Sequence, residues 1–442
     1  MCPNATNRRP SAAASYRHVL TTGPFLLLWL GVLLSYLTDR LTQLGLLELL
    51  RGSVTNLGAV NNNLTLFMML PFVFLSPLAG PLIDRRSRRV ILAATTAGKA
   101  ALFLVLAVLL SRSLGLPRSL GFVYGVVALQ GILTLFFPSS RRSLVPQIFD
   151  SDHLMAANSL LDVTGMFMML VGNFVAAVLL GWVAGGVFSL RTFFLLGVGA
   201  YLGAATLFAS MRISAAARRA GQAREDRYLA LLRGGLRYAA THRIARRLIG
   251  LAAGFWLMAG SVYTVLNGKL LNEMNLTTDR FGYALGALGV AIFAGSFGMT
   301  FVFRRLPSVG TTVRAAFAIV GLSVLSLLWL ERLALLFVPI VLMGLAGGGL
   351  VVLIITLLQR TVPRRTHGRL FCLVEACHNA ALIAALFGGT VALKLVAFQT
   401  ICWTVGLACL FAAIPGLINR KCANVGVTSS ISVGKPPNGR LE

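Results

Sequence analysis

Long apolar stretches alternate with short polar segments along the chain, and this pattern determines the predicted fold. Most of the apolar stretches have about 20 residues, the number that an α-helix needs to cross the hydrocarbon core of a bilayer. The pattern predicts an all-α integral membrane protein with twelve transmembrane helices, and it excludes a soluble enzyme and a disulfide-rich scaffold. The predicted spans are residues 24–47, 58–83, 90–110, 120–138, 156–180, 191–211, 248–271, 281–303, 315–330, 335–359, 370–391 and 396–418.

The longest polar interruption, residues 212–247, divides the predicted spans into two groups of six. It contains ten arginines, and apolar residues recur in it at helical spacing. We expect an amphipathic helix whose arginines contact anionic lipid headgroups, and a solvated linker helix fits the pattern as well. The predicted domains are a cytoplasmic N-terminal tail (1–23), an N-terminal six-helix half (24–211), a basic cytoplasmic linker (212–247), a C-terminal six-helix half (248–418) and a disordered cytoplasmic tail (419–442).

The distribution of basic residues explains the charge of the chain and predicts its orientation. Apolar residues make up 57% of the chain and charged residues only 12%, about half the charged fraction of a soluble domain, yet the formal net charge is +27. Of the 40 Lys and Arg, 30 fall in the tails, the linker and the loops on the side of the termini, and eight fall in the opposite loops. The positive-inside rule therefore predicts that both termini are cytoplasmic. The charge reflects topology and contact with anionic lipid, and it does not require nucleic acid.

The loop after the second span carries the clearest family motif. It reads Gly80-Pro-Leu-Ile-Asp84-Arg85-Arg86-Ser87-Arg88-Arg89 and resembles the G-x-L-x-D-R-x-G-R-R signature of the major facilitator superfamily, with Ser87 in place of a glycine. The resemblance implies two pseudo-symmetric six-helix bundles that give alternating access to a site between them. It also implies a conformational latch formed by Gly80, Asp84, Arg85, Arg88 and Arg89.

Two further stretches point to a branch of that superfamily. The segment from Phe137 through Gln147 and the segment from Val362 through Phe371 are similar to motifs of the macrolide-efflux and enterobactin-exporter branch. The lysophospholipid transporters are similar too, because they share an acidic residue in the first span and a lysine in the third. Either resemblance implies a multi-pass protein of a bacterial inner membrane.

Three ionisable residues inside the predicted spans are the main candidates for substrate or ion coupling. A charge at the bilayer centre costs at least about 2.5–3.5 kcal/mol, so an intramembrane charge indicates a function. Asp39 is expected to hold a proton, a sodium ion or a cationic substrate group, or to pair with the adjacent Arg40. Arg40 offers a site for a phosphate or carboxylate. Lys99 is expected to pair with Asp39, Asp84 or Asp162, to meet an anionic headgroup, or to extend to the membrane surface.

Two acidic residues occupy equivalent places in the two halves. Asp162 lies in the fifth span and Glu375 in the eleventh, both near the predicted cytoplasmic side. We expect them to form an inner gate with arginines, among which Arg141 and Arg142 are candidates. The alternative is that the carboxylates only stabilise helix N-termini.

A metal site is a further alternative in the eleventh span. Cys372, Glu375 and His378 recur at a spacing of three, so they share one face of a helix. Together with Asp39 they offer sulfur, nitrogen and oxygen ligands to a transition metal. The alternative is that His378 and the cysteine pack as ordinary interior residues.

The sequence favours a transporter that is not an enzyme and has no cofactor. No nucleotide-binding or hydrolase motif occurs, so transport would depend on an ion gradient. The expected substrate is an amphipathic organic compound exported by a monomer, with H⁺ or Na⁺ as the coupling ion, which makes the protein an efflux antiporter. Three alternatives stay open: a lysophospholipid flippase, a divalent-metal exporter, and a scaffold or sensor without transport.

Overall fold

The computed structural model describes residues 12–51, 53–85, 87–110, 120–149, 151–212, 234, 236–237, 239–302, 308–361 and 367–414. Within these ranges it does not describe the side chains of residues 12–16, 76–85, 142–143, 151–152, 155, 162, 166, 169–170, 300–302, 359–361 and 367–372. Most of the predicted basic linker and the whole predicted C-terminal tail lie outside the described residues, as do the side chains of Gly80, Asp84, Arg85, Arg142, Asp162 and Cys372.

Across the described ranges the chain forms thirteen α-helices. They are α1 Ala12–Thr21, α2 Gly23–Leu50, α3 Leu57–Arg85, α4 Arg88–Leu109, α5 Leu120–Leu144, α6 Ser151–Ala184, α7 Leu190–Ser210, α8 Arg243–Asn267, α9 Thr278–Val302, α10 Val309–Ser326, α11 Leu333–Thr361, α12 His367–Leu395 and α13 Phe398–Ala412. A 3₁₀ turn, Val145–Gln147, follows α5, and a π-helix, Gly268–Glu273, continues α8.

Helices α2 to α13 correspond one by one to the twelve predicted spans. Ten of the described helices are long and apolar enough to cross a bilayer, and the apolar segments Val171–Ala184 and Phe398–Ala412 are shorter. The two six-helix bundles of an integral membrane protein, predicted from the sequence, are confirmed. Helix α5 runs through Pro138 and extends beyond the predicted end of the fourth span.

Two elements differ from the prediction. Helix α1 lies within the segment predicted as an N-terminal tail, and it packs on α6 with Val19 fully buried. Helix α8 begins at Arg243, inside the segment predicted as the basic linker, because the apolar face that starts at Ala245 is already buried there.

The contacts of the two bundles follow the same pattern. In the N-terminal bundle α2 packs on α6 and α7, α3 on α5, and α4 on α5 and α7. In the C-terminal bundle, six spans later, α8 packs on α12 and α13, α9 on α11, and α10 on α11 and α13. The bundles meet through α3 against α12 and α6 against α9, which are also equivalent pairs. This arrangement leaves α2 and α8 facing the junction of the two halves.

Candidate functional site

A buried ion pair occupies the middle of the N-terminal bundle. The Lys99 Nζ lies 2.9 Å from the Asp39 Oδ1, and the two side chains are 1% and 7% exposed. Asp39 is eleven residues from the end of α2, and Lys99 is eleven residues from the start of α4. The rise of about 1.5 Å per residue therefore places both groups roughly 16 Å from these helix ends. Of the partners that the sequence allowed for Lys99, the structure brings Asp39 to it.

Three polar side chains complete the surroundings of the Asp39 carboxylate. The Tyr201 hydroxyl of α7 donates to the Asp39 Oδ1 at 2.7 Å. The Gln130 Nε2 of α5 donates to the Tyr201 hydroxyl at 3.3 Å, and the Thr42 Oγ1 of α2 lies 3.2 Å from it. The carboxylate of α2 thus receives two charge-assisted hydrogen bonds, one from α4 and one from α7, while Gln130 and Thr42 contact the Tyr201 hydroxyl.

The lysine has aromatic neighbours and the carboxylate borders a small cavity. The Lys99 Nζ lies 5.6 Å from the Phe137 ring centroid and 5.8 Å from that of Tyr201, within the range of cation–π attraction. Asp39, Gln43 and Gln130 line a cavity of about 10 Å³. This volume is about the least that one water molecule needs, so the pair is nearly dry.

Arg40 does not pair with Asp39. Its guanidinium donates to the Gln43 Oε1 at 3.2 Å, and its stem passes against Gly172 of α6. Gln43 in turn donates through Nε2 to the Thr65 Oγ1 at 3.2 Å and to the Tyr263 hydroxyl at 3.0 Å. Because Tyr263 belongs to α8, Gln43 connects the region of the ion pair to the C-terminal bundle.

Hydrogen bonds between the two bundles cluster at the end of the molecule where α2 joins α3. In a first layer the Asn61 Nδ2 donates to the Tyr263 hydroxyl at 3.0 Å and to the Asn267 Oδ1 at 3.1 Å. Asn62 accepts from Asn267 at 2.6 Å and donates to the Thr264 hydroxyl at 2.9 Å. All of these donors and acceptors are buried or partly buried.

A second layer of the same contact uses the π-helix. The Asn272 side chain accepts from the Gly58 N–H at 2.9 Å and donates to the Asn56 Oδ1 at 2.9 Å. The Asn56 Nδ2 also donates to the Leu393 carbonyl at the end of α12, at 2.6 Å. We call the two layers the asparagine contact, made by Asn56, Asn61, Asn62, Thr264, Asn267 and Asn272. It joins the two bundles at the α2–α3 end of the molecule.

The predicted latch and inner gate are only partly within the described side chains. Arg88 is buried, and the Arg89 guanidinium donates to the Met211 carbonyl after α7. Arg141 is buried and donates to the Leu161 carbonyl of α6 at 3.0 Å, so this bond stays within one bundle. Glu375 is 63% exposed, which leaves its carboxylate available to a partner. The latch and the inner gate stay predictions.

The predicted metal ligands give a more limited picture. The His378 Nδ1 lies 4.0 Å from the Glu375 Oε1, and the His378 ring stacks on Trp256 of α8 at 3.6 Å between centroids. The side chain of Cys372 lies outside the described residues. Among the side chains that are described, His, Cys, Asp and Glu nowhere form a group of three that could hold a metal ion.

A larger cavity of about 440 Å³ lies between α8, α12 and α13. Its walls include Ser261, Thr264, Gly389 and Thr404, and none of its lining residues carries a charge. It contains neither Arg40 nor Lys99, so it is separate from the ion pair. Thr264 connects it to the asparagine contact, where the same hydroxyl accepts from Asn62.

Sequence reasoning identified the charged residues of the site and missed most of the neutral ones. Asp39, Arg40 and Lys99 stand out because charges are rare in apolar stretches. Tyr201 and Tyr263 carry no such signal, since tyrosine is common in membrane proteins near the membrane surfaces and does not by itself indicate a site. The run of Asn61, Asn62 and Asn63 at the start of a span was a usable signal for a polar contact, although it does not name the partner helix.

Comparisons with known proteins agree with this architecture. The family model described as Major Facilitator Superfamily matches residues 28–379. No curated protein matches the chain in sequence. Among solved structures, the chain is similar to an auto-inhibited POT family peptide transporter, with 12% identity, a TM-score of 0.67, and coverage of 92% of this chain and 98% of that one.

A bacterial homologue of the iron transporter ferroportin is similar in two conformations. The inward-facing structure has 18% identity and a TM-score of 0.64, with coverage of 88% of this chain and 96% of that one. The outward-facing structure with soaked iron has 20% identity and a TM-score of 0.55, with coverage of 88% and 97%. At these identities the likeness concerns the fold alone. With the family match over most of its length, two equivalent six-helix bundles and the motif after its second span, the chain belongs to the major facilitator superfamily.

Proposed function

We propose that this transporter exports an amphipathic organic substrate, coupled to an ion gradient, with Asp39 as the coupling carboxylate and Lys99 as its counter-ion. The observation that carries the proposal is the Lys99–Asp39 pair, at 2.9 Å and almost fully buried in mid-span. Taking two charges out of water is costly, and an apolar pair of similar volume is often as stable. A function in ion coupling accounts for a charged pair at this depth.

The chemistry of coupling follows from the groups around Asp39. When a proton or a sodium ion neutralises the carboxylate, Lys99 loses its counter-ion and must find another acceptor. When the ion leaves, the pair re-forms with the Tyr201 hydroxyl as a second donor. The two states differ in the charge at the junction of α2, α4 and α7, which is the difference that an alternating-access mechanism requires.

We further propose that the asparagine contact closes the extracellular side. The distribution of Lys and Arg supports this orientation, since the loops at the α2–α3 end are the poorer in basic residues. The higher TM-score to the inward-facing than to the outward-facing ferroportin homologue supports the same assignment. In this state substrate would enter from the cytoplasm, as an exporter requires.

An amphipathic substrate fits the residues on the inner part of the C-terminal bundle. Glu375 offers an exposed carboxylate one turn from His378, whose ring stacks on Trp256. An aromatic surface beside a carboxylate suits an organic molecule with an apolar body and a polar or cationic group.

Two alternative substrates keep a specific observation in their favour. Arg40 is only partly buried, so it could bind the phosphate of a lysophospholipid, while Lys99 is already engaged with Asp39. The 4.0 Å separation of Glu375 and His378, and the metal transporters among similar structures, favour a divalent metal. A scaffold without transport is the remaining alternative.

Flux in proteoliposomes tests the proposal. A cationic hydrophobic dye and a fluorescent lysophospholipid would be followed separately, with and without a pH or sodium gradient. The wild type would be compared with Asp39→Asn, and with Glu48→Gln as a control at a partly exposed pair near the end of the same helix. We expect gradient-driven dye flux in the wild type and the control, and a loss of at least tenfold in Asp39→Asn.

Each other outcome selects an alternative. Movement of the lysophospholipid alone would support the flippase. Absence of both, with tight Fe²⁺, Co²⁺ or Zn²⁺ binding that Glu375→Gln and His378→Ala abolish, would support the metal exporter. Dye flux that Asp39→Asn leaves unchanged would disprove the role of Asp39, and absence of any flux or metal binding would favour the scaffold.

A further inference from the structure

The Tyr263 hydroxyl connects the C-terminal bundle to two helices of the N-terminal bundle, close to the ion pair. It accepts a hydrogen bond from Gln43 of α2 and another from Asn61 of α3, each at 3.0 Å, and the Thr65 hydroxyl lies 3.5 Å away. One hydroxyl of the C-terminal bundle therefore accepts hydrogen bonds from two helices of the N-terminal bundle.

Gln43 lies one helical turn beyond Asp39 and borders the same small cavity. Side chains four residues apart on a helix share a face, and Asp39, Gln43 and Gln130 all line the cavity of about 10 Å³. The Gln43 amide accepts from Arg40 through its oxygen and donates to Thr65 and Tyr263 through its nitrogen. Among uncharged side chains only an amide carries an acceptor and a two-proton donor at opposite corners of one rigid plane.

We propose that Gln43 and Tyr263 form a relay that keeps the asparagine contact closed while the Lys99–Asp39 pair is intact. When Asp39 is neutralised, Lys99 needs a new acceptor, and Gln43, which lines the same cavity, carries one in its amide oxygen. When an anionic group of a substrate binds Arg40, the amide loses the donor that fixes it. In either event Gln43 turns, Tyr263 loses a donor, and the α2–α3 end opens more readily.

The relay rests on the proposed function only in assigning ion coupling to Asp39. Gln43 and Tyr263 are positioning residues, because they act through the contact between the halves and not on the substrate. The chain also supplies a matched control. The Asn63 Nδ2 donates to the Tyr124 hydroxyl at 3.2 Å, an asparagine–tyrosine bond from the same stretch of α3 that stays within the N-terminal bundle.

The experiment measures how often the α2–α3 end opens. Leu64 is 2% exposed and lines the cavity beside Asp39, so a cysteine there reacts with a membrane-impermeant thiol reagent from outside only when that end opens. Leu64→Cys would be placed in the full chain with its native cysteines replaced by alanine. The labelling rate then reports the population of the open state.

Tyr263→Phe and Asn61→Ala should each raise the labelling rate of the cysteine at position 64. Each substitution removes two hydrogen bonds between the bundles, and the loss of even one bond between neutral groups changes a two-state ratio by roughly three- to tenfold. The controls Tyr124→Phe and Asn63→Ala should leave the rate within twofold of the starting chain. Equal rates in the Tyr263→Phe and Tyr124→Phe variants would overturn the proposal.

A second comparison tests whether the effect of Asp39 on the asparagine contact depends on Gln43. Asp39→Asn should raise the labelling rate when Gln43 is present and should add nothing in a Gln43→Leu chain. If Asp39→Asn raised the labelling rate by the same factor in the Gln43 chain and in the Gln43→Leu chain, the relay would be overturned. Failure of the proposed function can be distinguished from failure of the relay. If only the proposed function is wrong, Asp39→Asn leaves dye flux unchanged, while Tyr263→Phe still raises the labelling rate.

Discussion

At the scale of the residue, the Lys99–Asp39 pair is the group whose removal should have the largest consequence. Both side chains are nearly inaccessible, and each is the charged partner of the other. Removing one partner of such a pair leaves a buried charge uncompensated, which costs more than the pair itself contributes. Tyr201 offsets only part of that cost, because one hydroxyl does not replace an ammonium group.

Lys99→Met should therefore destabilise the protein by about 3–5 kcal/mol, the range for breaking a buried pair. Thermal unfolding of the purified protein in detergent would show a lower Tm. The double variant Lys99→Met, Asp39→Asn should recover part of the loss, because the uncompensated carboxylate is gone. An unchanged Tm in the single variant would mean that the pair is not buried as described.

A surface pair on the same helix provides the comparison for this prediction. The Arg51 guanidinium lies 3.9 Å from the Glu48 carboxylate, and both side chains are about one quarter exposed. Exposed pairs contribute between zero and about 1 kcal/mol, so Glu48→Gln should leave the Tm nearly unchanged. A large drop in that variant would show that a partly exposed pair contributes as much to stability as the buried one, and would contradict the prediction.

The contrast between charged and neutral residues also explains how far the sequence predicts the site. Asp39 and Lys99 could be identified because each interrupts an apolar stretch, and Lys99 had three possible acids. The choice among them depends on which helices are neighbours, and α2 meets α4 at this level only because both pack around α7. Gln43 and Tyr263 could not be assigned, since their role depends on a contact about 220 positions away in the chain.

At the scale of the element, glycines determine how closely two pairs of helices approach. A Cβ on Gly348 of α11 would overlap the Ile292 carbonyl of α9, and one on Gly295 of α9 would overlap the Leu345 carbonyl of α11. In the equivalent pair of the N-terminal bundle, a Cβ on Gly131 of α5 would overlap the Met68 carbonyl of α3. Small residues allow such backbone contact between membrane helices.

Gly348→Ala should destabilise the protein by about 1–3 kcal/mol, the usual cost of overfilling a close contact, since the new methyl group forces α9 and α11 apart. The neighbouring Gly347 is the matched control, because a Cβ there meets nothing within 4 Å. Gly347→Ala should be neutral or stabilise slightly, as alanine favours the helix by up to about 1 kcal/mol. Thermal unfolding in detergent compares the two, and equal Tm values would refute the close approach.

The elements themselves follow from the apolar pattern to different extents. Each of the twelve predicted spans has a helix because about 20 apolar residues in a bilayer must satisfy their own backbone hydrogen bonds. Helix α1 was not expected, since its ten residues are short and its stability depends on packing against α6. The π-helix after α8 was not expected either. One widened turn has no sequence pattern, yet it directs Asn272 at Gly58 and Asn56.

At the scale of the whole molecule, two equivalent bundles carry unequal chemistry. The contacts of α2 to α7 repeat in α8 to α13, but the described part of the C-terminal bundle has no ion pair in mid-span to match Lys99 and Asp39. Lys269 lies in the π-helix after α8. His378 is eleven residues from the start of α12, the depth of Lys99 in α4, but its partner Glu375 is 4.0 Å away and 63% exposed. We infer a division of labour in which the N-terminal bundle senses the ion and the C-terminal bundle supplies Tyr263, Thr264, Asn267 and Asn272 to the closed end.

The α2–α3 end, which carries the asparagine contact, should face the extracellular side of the membrane. Ser53, between α2 and α3, and Thr241, just before α8, are both exposed and lie at opposite ends of the bundles. In intact cells that express a chain without native cysteines, Ser53→Cys should react with an impermeant thiol reagent. Thr241→Cys should react only after the cells are permeabilised, because the basic loops on its side are held in the cytoplasm. The reverse pattern would place the asparagine contact in the cytoplasm and the open end outside, which would contradict the proposed orientation.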